Sequence, residues 1–220
     1  MPAHPRPVCK AGPGIARADG SLCVERGACD SPPPAFEDAS APIVAHSGRQ
    51  ASLIVAVLEL YLIRHGIAAE RGPEYPDDSK RPLTSKGIAA LRREAKALNS
   101  LGVTFDLIIA SPLTRTRQTA DVLAEHLEGK PTVTHSDALA PAGTPAAVMQ
   151  EIAKHSRKAR IALVGHEPNI GELAARLIGA RSPIEFKKGA VCRIDFDVLP
   201  PKALGQLRWF LPPRILRKSG

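Results

Sequence analysis

The chain has 220 residues, with 30 Lys and Arg against 22 Asp and Glu and a formal net charge of +8. Its 44% hydrophobic content excludes a chain disordered throughout, and its 4% aromatic content leaves little material for a base-stacking nucleic-acid surface. A basic excess points to an anionic partner, so where that charge sits along the chain matters.

Residues 1–57 read as a disordered Pro-rich tail. They hold eight prolines and no sustained apolar periodicity before Ala51, too little apolar surface to offset chain entropy. Five basic and five acidic residues make this stretch neutral, so the whole +8 belongs to residues 58–220, the expected folded domain. A true start near residue 50 is the alternative reading. Cys9, Cys23 and Cys29, even with His4 or His46 added, match no compact zinc spacing, so no metal or other cofactor is expected. An odd number of tail cysteines argues against a disulfide framework and fits a reducing cytoplasm. The apolar run from Ala51 is too short to cross a bilayer and leads into a strand, so no membrane partner is expected.

The elements then follow in alternation. Leu58–Ile63 is a short apolar strand. Thr84–Leu101 is helical, with Leu83, Ile88, Leu91, Ala95 and Leu98 forming an apolar stripe. Phe105–Ala110 is a second strand. A helix is expected to start at Ser111-Pro112, with Ser as N-cap and Pro at the first helical position, and to run to about Leu127. Thr132–His135 is a third strand, and Thr144 caps a helix through about His155. Arg160–Val164 is a fourth strand, after which Pro168 opens a helix that Gly179 closes. Ala190–Val198 and Gln206–Leu211 read as an antiparallel pair at the edge of the same sheet. Cys192 falls in this strand-like run as a small core residue. The fold class is therefore α/β: a mostly parallel sheet covered by helices on both faces.

In such sheets ligands bind beyond the carboxyl ends of the strands. The first strand is followed by Arg64-His65-Gly66, the second by Ser111-Pro112-Leu113-Thr114-Arg115, and the fourth by Gly165-His166-Glu167-Pro168. Two arginines and two histidines thus converge on one rim. Guanidinium forks match phosphate oxygens, a neutral imidazole can attack phosphorus, and helix N-termini add backbone donors toward an anion.

Arg64-His65-Gly66, Arg81-Pro82-Leu83-Thr84-x-x-Gly87, Ser111-Pro112-x-x-Arg115-x-x-Gln118-Thr119 and Val164-Gly165-His166 together resemble the histidine phosphatase superfamily, and the short uncapped domain is similar to its SixA type. The resemblance covers about Leu58–Leu211. It implies a histidine-phosphatase-like fold and a metal-independent phosphatase. His65 would be the nucleophile that becomes phosphohistidine, and Arg64, Arg115 and His166 would surround the transferring group. Gly66 would let backbone approach phosphate or simply turn the chain. Arg81 would bind the anion or pin its loop. Ser111 would contact phosphate or cap a helix.

One departure bears on the substrate. Many members place a Glu to protonate the leaving group, and matching Leu139-x-Pro141-x-Gly143 puts Ala138 there. Asp77, Asp78, Asp137 and Glu167 are nearby carboxylates with no assigned role. A weak acid suits a labile phosphoramidate better than an alkyl ester, which favours a phosphohistidine protein, such as a signalling partner, over a small phosphorylated compound. A phosphoanion-binding module with little turnover is a further alternative. The basic residues Lys187, Lys188, Arg193, Lys202, Arg208, Arg214, Arg217 and Lys218 raise a nucleic-acid reading, but a charge run is usually a solvated face, so nucleic acid is not expected as the main partner.

Overall fold

The structure, a computed structural model, describes residues 58–198 and 200–219. The readings made on the tail, on the lead-in from Ala51 and on its three cysteines lie outside those residues.

Alternating strands and helices run in chain order: β1 (Leu58–Arg64), α1 (Ser85–Ser100), β2 (Leu107–Ala110), α2 (Thr114–His126), β3 (Thr132–His135), α3 (Pro145–Ala153), β4 (Arg160–Gly165), α4 (Asn169–Ile178), β5 (Val191–Phe196), β6 (Gln206–Leu211) and α5 (Pro213–Ser219). They build one six-stranded sheet in the order β3-β2-β4-β1-β5-β6. The first four strands are parallel, and β5 runs antiparallel to β1. β5 is therefore an inner strand, and only β6 of the expected edge pair lies at an edge. No helix among the described residues is long and apolar enough to cross a membrane.

Side-chain alternation along the central strands divides the core. Leu60, Leu62, Ile161, Leu163 and Ile109 face one layer, where Ile152 of α3 and Ile170 and Leu173 of α4 cover them. Tyr61, Ile63, Ile108, Ala162 and Val164 face the other, under Leu98 of α1, Leu123 of α2 and Leu216 of α5. Each large apolar side chain removed from water on either face contributes about 1.5–3 kcal/mol.

Helix ends follow local chemistry where the side chain is free to cap. Thr84 Oγ1 accepts from Gly87 N, Thr144 Oγ1 accepts from Ala147 N, and Gly179 adopts the left-handed conformation that ends α4. Ser111 does not cap α2. Its backbone N–H still donates to Val164 O as an extension of the sheet, so the helix starts two residues later than expected, at Thr114, with no side-chain cap. Helix α5 was not expected from the sequence, where its residues read only as a basic run. Pro213 starts it, and Leu216 is buried against α1.

That basic run is also broken up by acids. Arg193 pairs with Glu59 and Asp195, Arg208 pairs with Asp195, and Lys187 pairs with Glu185.

Beneath α5 lies Glu94, only 2% exposed. Burial pushes its carboxyl up to about 7, against the pull of Arg217 and Arg93. The folded state therefore holds a proton that the unfolded chain, near 4.5, releases, so this group's contribution to stability falls as pH rises from about 4.5 to about 7. Above that range it amounts to a penalty on the order of 3 kcal/mol. Glu94→Gln should flatten this dependence and melt higher than wild type at pH 8, with the difference vanishing near pH 4. Thermal denaturation at both pH values checks it, and equal melting at pH 8 would refute it.

Candidate active site

Sheet register assembles the site. Arg64 of β1 lies opposite Gly165 of β4, so the residues that follow, His65 and His166, emerge side by side. His65 N donates to Gly165 O at 3.1 Å, and the two imidazole centroids are 5.2 Å apart. Ala110 of β2 lies opposite Val164, which places Ser111 next to His166. The Ser111 hydroxyl sits 2.9 Å from His166 Nε2, the contact that takes the place of the expected helix cap.

His65 Nδ1 is 2.7 Å from the Gly66 carbonyl, an acceptor only. That bond requires the proton on Nδ1 and leaves Nε2 with its lone pair. Burial pushes the ring down to about 4, and the guanidinium groups of Arg115 and Arg64 push the same way against the Gly66 carbonyl. His166 is lowered to about 3, first by burial and then by Arg115 and His65. Both rings are thus neutral at pH 7. A neutral imidazole with a free Nε2 is competent to attack phosphorus.

Arg115, 3% exposed, comes from the first turn of α2. Its Nη1 donates to the Asp78 carbonyl at 2.8 Å, and its Nη2 lies 3.0 Å from Asp78 Oδ2. Arg64 Nη1 donates to Phe186 O at 2.5 Å. Neither arginine uses its Nε: among the buried side-chain polar atoms of the described residues, Arg64 Nε, Arg115 Nε, His166 Nδ1 and, on β3, Thr134 Oγ1 have no hydrogen-bond partner. Buried polar atoms are rarely left so, and three of them on the residues of one rim mark a place that an anionic ligand would satisfy.

The remaining motif residues tie the loops together. Thr119 Oγ1 accepts from Gly66 N and donates to Arg115 O, while Gln118 Oε1 accepts from Leu83 N. A Cβ on Gly66 would lie 2.8 Å from Leu91 Cδ1, so this glycine makes room for α1 while its carbonyl sets the His65 tautomer. Arg81 points into its own loop: its Nε donates to Asp78 Oδ1 and its Nη1 to Ala69 O. Of its two open roles the geometry matches loop pinning.

The carboxylates take clear positions. Asp78 is engaged by Arg71, Arg81 and Arg115. Burial raises its carboxyl, but the Arg71 hydrogen bond and the three guanidinium charges hold it below the usual range, so it orients Arg115 and offers no proton. Asp77 caps the turn at Ser79, accepting from both its N–H and its hydroxyl. Asp137 begins a 3₁₀ turn at Asp137–Leu139. Glu167, raised by burial, accepts from Phe186 N and ties down the loop before β5. Ala138 lines a cavity of about 240 Å³ beside His166, with Leu139, Thr144 and Asn169. The carboxylate in its wall is Glu172, a residue not singled out in the sequence, because an acid in a first helical turn reads as a dipole partner.

Comparison with known proteins identifies the family. Residues 60–140 match the model of the histidine phosphatase superfamily (branch 1). An uncharacterised protein of Picosynechococcus sp. is 42% identical over 120 residues, which span 53% of this chain and 71% of that one. The phosphohistidine phosphatase SixA of Escherichia coli (strain K12) is 25% identical over 164 residues, 74% of this chain and 98% of that protein. A solved structure of the protein histidine phosphatase SixA complexed with tungstate superposes with a TM-score of 0.64 at 25% identity, covering 71% of this chain and 98% of that one. With register, motifs and relatives in agreement, this chain belongs to the histidine phosphatase superfamily.

Proposed function

We propose that this protein is a phosphohistidine phosphatase that works through a phosphohistidine intermediate on His65. The observation that carries the reading is a neutral His65 with its Nε2 free, placed among three buried and unpartnered nitrogens of Arg64, Arg115 and His166. In the first step His65 Nε2 forms a P–N bond as the substrate P–N bond breaks, and the leaving imidazole keeps a proton on its other nitrogen. In the second step water attacks phosphorus, the His65 P–N bond breaks and inorganic phosphate leaves. Two guanidinium groups neutralise the charge on the phosphoryl oxygens and the neutral His166 ring hydrogen-bonds them, so the scheme requires no metal. Similarity to SixA supports the substrate class, as does Ala138 where many relatives carry a Glu: an imidazole departs without the strong acid that an alkoxide needs.

A second reading, a small phosphate ester as substrate, draws on the 240 Å³ cavity beside His166, which has room for a small leaving group near Glu172. A substrate panel decides between them. The phosphohistidine protein should turn over with kcat/KM at least about tenfold above any small ester, a preference of about 1.4 kcal/mol in the transition state. A small ester turned over better would move the assignment to the second reading, and no turnover of either would remove both.

A further inference from the structure

Antiparallel β5 delivers one more cation to this rim. Val191, the first residue of β5, pairs with Ile63 near the end of β1, so the loop that precedes β5 reaches the rim carrying His65. That loop is fastened around Arg64 by three bonds: Arg64 Nη1 to Phe186 O at 2.5 Å, Gly189 N to Arg64 O at 3.1 Å and Arg64 N to Ala190 O at 3.2 Å. Gly189, at φ 89°, packs on the Glu94 carboxylate, where a Cβ would come within 2.5 Å of Oε2. The backbone of Lys188 is thus held beside Arg64. Its side chain is exposed, with no hydrogen bond or ion pair among the described residues, whereas Lys187 pairs with Glu185. The sheet places β4 and β2 on one side of β1 and β5 on the other. Arg115 and His166 therefore flank His65 from one side, and Lys188 approaches from the opposite side. Its charge reaches the ring, where it joins burial, Arg115 and Arg64 in opposing protonation of His65.

We propose that Lys188 is a substrate-binding residue that holds the phosphoryl oxygens on the β5 side of His65. The assignment rests on the phosphatase reading above. A compact ammonium on a flexible stem, anchored at a fixed backbone, closes on an arriving dianion and leaves with it, a role a rigid guanidinium fork fills less well.

The test compares wild type, Lys188→Met and Lys188→Arg. Inorganic phosphate binding is measured by calorimetry, and kcat and KM are measured across pH 3–8. In Lys188→Met, phosphate affinity should fall and KM rise about tenfold, the scale of one charge-assisted hydrogen bond. The acid limb of the pH profile should move upward, because His65 binds a proton more readily once that charge is gone. Lys188→Arg should restore most of the affinity, and all three proteins should melt alike. Wild-type phosphate affinity in Lys188→Met, with an unmoved acid limb, overturns the assignment alone. A wild type that binds no phosphate overturns the phosphatase reading and this assignment with it.

Discussion

Replacing His65 by Ala should lower turnover by about four orders of magnitude or more, with the fold intact. The expectation follows from the tautomer. The Gly66 carbonyl fixes the proton on Nδ1, so the removed atom is the only free imidazole lone pair that sheet register and this bond prepare for attack. A smaller side chain at the end of β1 leaves the β1–β4 pairing untouched, because that pairing is made by backbone. Arg64, Arg115 and His166 stay in place, so His65→Ala should still bind inorganic phosphate. Steady-state turnover of a phosphohistidine protein, with circular dichroism as the fold control, reads the effect. Quenching labelled wild type at alkaline pH, where a phosphoramidate survives, should trap label that His65→Ala lacks. Retention of more than a small fraction of activity would remove His65 as nucleophile. In the wild type the acid limb should lie near pH 4, well below an ordinary imidazole, and the apparent value belongs to the coupled pair His65 and His166.

Arg115→Met should cost about a thousandfold in kcat, the scale of removing one preorganised charge from a transition state. Arg115 is almost wholly buried and is locked by both the carbonyl and the carboxylate of Asp78, so it meets the substrate without reorganising. Methionine fills similar volume without charge, and Asp78 keeps Arg71 and Arg81 as partners. The loss should therefore appear in kcat and in phosphate affinity more than in the melting temperature. Arg115→Lys should recover little, since a compact ammonium lacks the planar fork that reaches both Asp78 acceptors while leaving Nε for the phosphoryl group. Near-normal kcat in Arg115→Met would show that the Asp78 pair is structural only.

How far the site was legible in the sequence depends on which strand end each residue follows. Arg64 is the last residue of a parallel strand, and His65, Ser111, Arg115 and His166 follow the carboxyl ends of such strands, where a general rule says to look. Lys188 comes before an antiparallel strand, so the same rule passes over it, and in the sequence it merged with a basic run. Asp78 looked like a spare acid, because nothing in its own segment shows that Arg115, 37 residues on, would claim both its carbonyl and its carboxylate. Ser111 carried every local mark of a helix cap. The sheet kept its backbone, and His166, 55 residues away, took its hydroxyl.

The +8 charge divides along the same line. Its confinement to residues 58–220 is a property of sequence alone, as are the alternation of short apolar strands with amphipathic helices and the motifs that end those strands, since hydrophobic period and turn chemistry act between near neighbours in the chain. What the tertiary structure decided is which charges remain free. Arg81, Arg193 and Arg208 are taken by carboxylates, Arg64 and Arg115 each keep an unpaired nitrogen, and Lys188 has no partner among the described residues. Strand order and register set those partners, because an ion pair forms over a few ångströms in space between groups that can be a hundred residues apart in the chain.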